Sequence, residues 1–237
     1  MFVMQKNIFN KLISSIYYNS LYTSIFPTLS HQLKKELQDC STVLDLGCGP
    51  SSPIQYCKNV RYSVGVEPFG KYLLMSKKQK IHNRYLNAKI EDLNFPDRTF
   101  DAVIMIEVLE HLPRDIGKKI LLKIEKWAKN KVVVTSPNGF LAQPAVDKNQ
   151  LQKHLSGWSV ATMQRLGYQV VGLEGLKFLR KDPLSSEYGN ILATIRFQPR
   201  FFWFVIVNLS QVLTYYLPRH AFAWFGVKNL KNKKLQF

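Results

Sequence analysis

An open, doubly wound, mostly parallel α/β sheet is the fold this chain predicts, on three observations. Segments of strand and helix character alternate from residue 42 onward, the pattern of βαβ units and a parallel sheet. Residues 43–50, VLDLGCGP, run an apolar strand into a glycine-rich turn. Residues 102–106, AVIMI, are a continuous apolar run of the kind that a strand buried on both faces requires. With 237 residues there is room for one such domain and appendages. The expected division is an N-terminal helical cover or lid at 1–40, the α/β domain at 41–198, and an apolar, basic-flanked C-terminal helical segment at 199–237.

Taken in order, Ile8, Phe9, Leu12, Ile13, Ile16, Leu21, Tyr22 and Ile25 recur near helical spacing, and Pro27 ends that helix. A second helix is expected at 29–37. Strands are expected at 42–46, 62–67, 85–88, 100–106 and 131–135. Between them fall a short helix at 53–57, a helix at 71–79 and an amphipathic helix at 115–129. The inner face of the last is Ile116, Ile120, Leu121, Ile124 and Trp127. Ser136-Pro137-Asn138-Gly139 is a strong turn signal. After a polar connection at 143–156, a helix at 160–166 ends at Gly167 and a strand follows at 168–173. Residues 191–196 are expected as the final strand.

A hydrophobic content of 46% and an aromatic content of 13% exclude a mainly disordered chain. The formal charge of +17 calls for an anionic partner, either nucleic acid or a surface of acidic lipid. Cys40, Cys48 and Cys57 form no CxxC pair, so neither a disulfide framework nor a metal site is expected, and a reducing cytoplasm is the default. No cleavable leader is expected at the N-terminus.

The chemistry starts at Gly47-Cys48-Gly49. Neither glycine has a Cβ, so backbone there can touch a ligand, and open α/β sheets bind nucleotides at the carboxyl ends of their strands. Ser52 stands where the dinucleotide fingerprint G-x-G-x-x-G would have its third glycine. Glu67 closes the second strand, where its two oxygens can accept both hydroxyls of a ribose; the alternative is a surface acid at a strand end. Glu91 and Asp92 follow the third strand, where a carboxylate can accept from an exocyclic amino group; acids at a helix start are the alternative. Glu107, Glu110 and His111 follow the fourth strand at the mouth of the same cleft.

In this order the motifs resemble the class I S-adenosylmethionine-dependent methyltransferases, over about residues 42–139. VLDLGCGP resembles that family's first motif, VGVE its second-strand acid, IEDLNFPDRTFDAVI its adenine loop with the fourth strand, and EVLEHL its segment after that strand. The resemblance implies a Rossmann-like methyltransferase fold with S-adenosyl-L-methionine as cofactor. It implies that Asp45, Gly47 and Gly49, with Cys48 between them, floor the methionine part. It also implies that Glu67 binds the ribose diol, Asp92 or Glu91 the adenine amino group, and that Glu107 lies beside the methionine. Pro50-Ser51-Ser52 departs from the family's more frequent small-Gly continuation. His111 is the candidate general base, needed only if the acceptor is a hydroxyl or a protonated amine; packing or capping is its alternative role. His154 and Trp158 are substrate-side candidates, against a reading in which Trp158 anchors its loop to the core.

From 201 to 218 no residue is charged, yet the run is shorter than the ~20 apolar residues that span a bilayer. Asn208, Gln211 and Tyr215 make a narrow polar stripe on an otherwise apolar helix, with Trp203, Tyr215, Tyr216 and Trp224 available at headgroup level. An anionic membrane surface is the expected partner of 199–237, with the protein's own core or a second copy of the chain as alternatives. The leading expectation is therefore a cytoplasmic methyltransferase, peripheral on the inner face of a membrane, acting on a small or lipid-linked acceptor. The alternatives are an RNA methyltransferase, disfavoured because the basic residues are spread rather than grouped with stacking aromatics, and a non-catalytic cofactor-binding assembly subunit.

Overall fold

The computed structural model describes residues 27–181 and 192–230. The helix expected at 8–25 lies outside them. A single seven-stranded sheet organises the rest, in the order β3-β2-β1-β4-β5-β7-β6. Its strands are β1 (Thr42–Leu46), β2 (Tyr62–Val66), β3 (Arg84–Leu86), β4 (Phe100–Ile106), β5 (Ala128–Pro137), β6 (Gln169–Leu176) and β7 (Ala221–Asn229). Pairing is parallel from β3 to β5, whereas β7 runs antiparallel to both β5 and β6. The helices are α1 (Leu29–Glu36), α2 (Gly70–Lys78), α3 (Arg114–Trp127), α4 (Val160–Arg165) and α5 (Arg200–Tyr216).

Side chains alternate across the sheet, as the pleat requires. Leu44, Leu46, Val103, Met105, Val132 and Val134 face a core shared with Ile120, Leu121, Ile124 and Trp127 of α3. Val43, Ala102, Ile104 and Val133 face the opposite core, with Leu33 and Leu37 at α1. Each fully buried aliphatic side chain contributes about 1.5–3 kcal/mol, so this double cover fixes the register of β1 and β4. The strand ends that carry the motifs are thereby held in place.

Two expectations fail at the C-terminal side. Residues 192–194 are a turn and Ile195 makes a single bridge to Arg180, so the described part of the strand expected at 191–196 is not in the sheet. The last strand is Ala221–Asn229, inserted between β5 and β6. Its run AFAWFGV is apolar because both of its faces are covered, and Trp224, fully buried, donates its indole N–H to the Trp158 carbonyl at 2.8 Å. Within the described part of 199–237, Arg200–Tyr216 is the expected apolar helix, whereas Ala221–Asn229 joins the sheet, and Trp224 is not an interfacial side chain.

Helix α5 is docked by its polar side. Gln211 donates to the Gly172 and Pro27 carbonyls at 3.0 and 3.2 Å and accepts from the Gly175 N–H at 2.8 Å. Thr214 is fully buried, and Tyr215 donates to Gln32 of α1 at 3.3 Å. The close approach depends on glycines in β6. A Cβ at Gly172 would lie 2.1 Å from the Thr214 carbonyl oxygen, and one at Gly175 2.2 Å from that of Val207. Consequently Phe201, Phe202, Val205, Leu209, Val212, Leu213 and Tyr216 face outward. Among the described residues, no helix is long and apolar enough to cross a membrane.

Candidate active site

At the carboxyl ends of β1, β2 and β4 the glycine turn opens onto a cavity of about 570 Å³. Gly47 has φ +70, and a Cβ there would meet Val108 Cγ2 at 2.4 Å. Gly49 has φ +55 with no atom within 4 Å of its Cβ position. Both positions need the left-handed region that glycine enters freely. At Gly47 the freed space is filled by protein, whereas at Gly49 it stays open at the cavity wall.

Glu67 holds this turn. One carboxylate oxygen accepts from the Gly49 N–H at 3.1 Å and the other from the Phe69 N–H at 2.8 Å. Burial raises its pKa, and the Phe69 and Gly49 amides work against that shift. Each oxygen keeps a second lone pair, so Glu67 can still accept two hydroxyls. Glu91 lines the cavity together with Lys89 and Ile90; the neighbouring Asp92 does not. Across the opening, Tyr72 of α2 donates to Asp147 at 2.9 Å, tying the connection after β5 to the side of the cavity that carries Glu67. Asn149 also lines the cavity, and its amide nitrogen is buried without a hydrogen-bond partner.

Asp45 lines the cavity but is only 1% exposed. Its carboxylate accepts from the Ser52 hydroxyl at 2.5 Å, and Ser52 Oγ in turn accepts from the Ile54 N–H. Ser52, at the place of the fingerprint's third glycine, therefore anchors the turn from below. His82 stands on the other side of Asp45, with its Nε2 3.5 Å from the carboxylate and its Nδ1 3.2 Å from Ser63 Oγ. Gly65 pairs with Asp45 across the sheet and makes room for that ring, since a Cβ there would lie 2.5 Å from His82 Cδ2. Nothing in the sequence marks His82, which sits in a lysine-rich stretch.

The two buried groups titrate in opposite directions. Desolvation pushes Asp45 up to about 7 from an ordinary 3.8 and His82 down to about 4 from 6.5. Between pH 4 and 7 the folded state then holds a proton on Asp45 that the unfolded chain releases, so this contribution weakens as pH rises. Between pH 4 and 6.5 the unfolded chain holds a proton on His82 that the folded state lacks, so that contribution strengthens as pH rises. The two slopes offset one another in the wild type. His82→Gln leaves the Asp45 slope alone, and urea melts should show stability falling by up to about 1.4 kcal/mol per pH unit over this window. An unchanged pH profile in that variant contradicts the opposed shifts of Asp45 and His82.

After β4, Glu107 has φ +53, an uncommon conformation for a non-glycine residue and one that recurs at functional sites. Its carboxylate accepts from the buried Thr135 hydroxyl at 2.8 Å, although the residue as a whole opens to the cleft. Glu110 lies behind it, 2% exposed, with Oε2 unpartnered. Burial and then the neighbouring Glu107 hold Glu110 well above the ordinary carboxyl range. His111 lines the cavity; its Nδ1 lies 3.1 Å from the Lys153 carbonyl, and desolvation lowers its pKa to about 4. His154 sits beside it, the ring centroids 4.8 Å apart, although 43 residues separate them in sequence.

Trp158 is fully buried and does not line the cavity. It stacks under Arg114, whose guanidinium carbon lies 3.9 Å from the ring centroid, and donates to Ser156 at 2.8 Å. The substrate-side expectation therefore fails for Trp158, because the polar loop folds its ring into the core. Cys48 lines the cavity as a buried free thiol.

Residues 44–141 match the family model described as a methyltransferase domain. Over 134 residues the chain is 31% identical to the uncharacterized methyltransferase C1B3.06c of Schizosaccharomyces pombe, a match covering 51% of this chain and 45% of that protein. It thus spans less than half the length of this curated relative. A SAM-dependent methyltransferase from Archaeoglobus fulgidus shares the fold with a TM-score of 0.51 at 16% identity, over 90% of this chain and 99% of that one. The plantazolicin methyltransferase BpumL in complex with SAH does so with 0.51 at 12%, over 96% and 97%. Residues 44–141 therefore match a methyltransferase domain, and the chain shares the fold of these S-adenosylmethionine-dependent methyltransferases.

Proposed function

We propose that this protein transfers a methyl group from S-adenosylmethionine to a small or lipid-linked acceptor at an anionic membrane surface. The cofactor brings a methyl carbon already activated by a sulfonium. The chain's part is to bind it, orient the acceptor and exclude water. In this reading Gly47 and Gly49 lie under the methionine part, with Asp45 and Ser52 keeping the turn rigid beneath. Glu67 takes the ribose hydroxyls on its spare lone pairs. Glu91, rather than Asp92, meets the adenine amino group, because only Glu91 lines the cavity. Glu107 faces the cationic end of the cofactor. His111, neutral near pH 7, is available to accept a proton from a hydroxyl acceptor.

The membrane part rests on the inverted docking of α5. A helix that buries its glutamine and threonine and exposes Leu209 at 55% and Leu213 at 54% presents an apolar face with no cover among the described residues. Arg219 and His220 are exposed just beyond its end, and the chain carries +17 overall, which suits acidic headgroups. In flotation with vesicles containing phosphatidylglycerol, the wild type should rise with the lipid. Leu209→Glu/Leu213→Glu should stay at the bottom while keeping its affinity for S-adenosylhomocysteine. Equal flotation of the two proteins, or retention of the wild type by RNA rather than by vesicles, overturns the membrane part.

A further inference from the structure

We propose that Glu110, His111 and His154 bind one divalent transition-metal ion on the flank of the cofactor cavity. One donor atom from each of the three lies within 4.8 Å of the others. A tetrahedral ion with bonds of about 2.1 Å would hold them about 3.4 Å apart, so the site closes by a modest side-chain adjustment.

Three features point to a cation rather than to a chance cluster. Glu110 Oε2 is buried and has no hydrogen-bond partner, an arrangement that calls for an occupant. Each ring presents its Nδ1 to a backbone carbonyl, His111 to that of Lys153 at 3.1 Å and His154 to that of Leu141 at 2.7 Å, the outer contact that metal-binding imidazoles commonly make. A carbonyl only accepts, so each Nδ1 carries the proton and each Nε2 carries a lone pair, the tautomer that second-shell carbonyls impose. Finally, the loop bearing His154 is fastened to Glu110 itself, whose backbone carbonyl accepts from the Leu155 and Ser156 amides at 2.8 and 3.0 Å.

Two imidazoles and one carboxylate suit a borderline ion such as Zn²⁺, Fe²⁺, Co²⁺ or Mn²⁺ better than Mg²⁺ or Ca²⁺, and they leave coordination positions open. Such an ion lowers the pKa of an oxygen bound to it. Combined with the methyltransferase reading, on which this last step rests, it selects hydroxyl acceptors and makes His111 a ligand instead of a general base.

The test is Co²⁺ titration of the full chain after chelator treatment, followed by visible absorption. The wild type should bind one equivalent with ligand-field bands. His111→Ala/His154→Ala should lose the bands and at least about 100-fold in affinity, the upper end of what second-shell changes alone cost. Should the double variant not fold, Glu110→Gln is compared instead and should also weaken binding. No uptake by the wild type, or uptake unchanged in the variant that folds, overturns the site. S-adenosylhomocysteine binding measured with chelator present reports separately on the methyltransferase reading.

Discussion

Glu67→Ala is expected to lower the affinity for S-adenosylhomocysteine by roughly 100-fold or more. A hydrogen bond to a charged group is worth about 1.5–3 kcal/mol, and the proposed ribose contact makes two of them. The same change releases the Gly49 and Phe69 amides, which Glu67 now holds at 3.1 and 2.8 Å. The turn whose open space at Gly49 faces the cavity then loses its fastening. Glu67→Gln keeps the shape and one acceptor oxygen, and should cost nearer tenfold. Calorimetric titration of the two variants against the wild type checks this. Equal losses for Ala and Gln would show that the charge is what matters and that the two backbone contacts contribute little.

Gly172→Ala is expected to be the most damaging single methyl in the fold. The added Cβ would meet the Thr214 carbonyl oxygen at 2.1 Å and Ala221 Cβ at 2.6 Å. Neither neighbour is the flexible end of a side chain, so α5 must move outward. That breaks the Gln211 contacts to Gly172 and Gly175, which lie at 3.0 and 2.8 Å. Overpacking of this kind costs about 1–3 kcal/mol or more, and the lost bonds to a buried amide add to it. Urea unfolding should show a lower midpoint, with S-adenosylhomocysteine binding retained by the fraction that stays folded. An unchanged midpoint contradicts the docking described for α5.

Much of this was legible in the sequence, for identifiable reasons. Strands β1 and β4 have the expected bounds because strands covered on both faces read as near-continuous apolar runs, interrupted only by Asp45 in β1 and Asp101 in β4 beyond the polar start at Thr42. The glycine turn and Glu67, 18 residues apart from Gly49, meet at bonding distance because β1 and β2 are adjacent parallel strands. Burial of a single ring was not legible. Trp158 sits in a polar stretch of the sequence, HLSGWS, and only its contact with Trp224 in the core reveals its role. Strand β7 was missed because its partners β5 and β6 precede a whole helix, and its apolar run resembles a continuation of α5. The polar stripe of α5 was visible, but its direction was not: Gln211 points inward only because Gly172 and Gly175 offer backbone to bond. His82 and the meeting of His111 with His154 depend on loop paths that no local pattern encodes.

The central claim is that the cavity beside Gly49 and Glu67 holds S-adenosylmethionine. Isothermal titration of the full chain with S-adenosylhomocysteine tests it most directly. The structure predicts saturable binding at one site per chain, weakened by Glu67→Ala and indifferent to Leu209→Glu/Leu213→Glu. No heat of binding by the folded wild type, or binding that Glu67→Ala leaves intact, would contradict it.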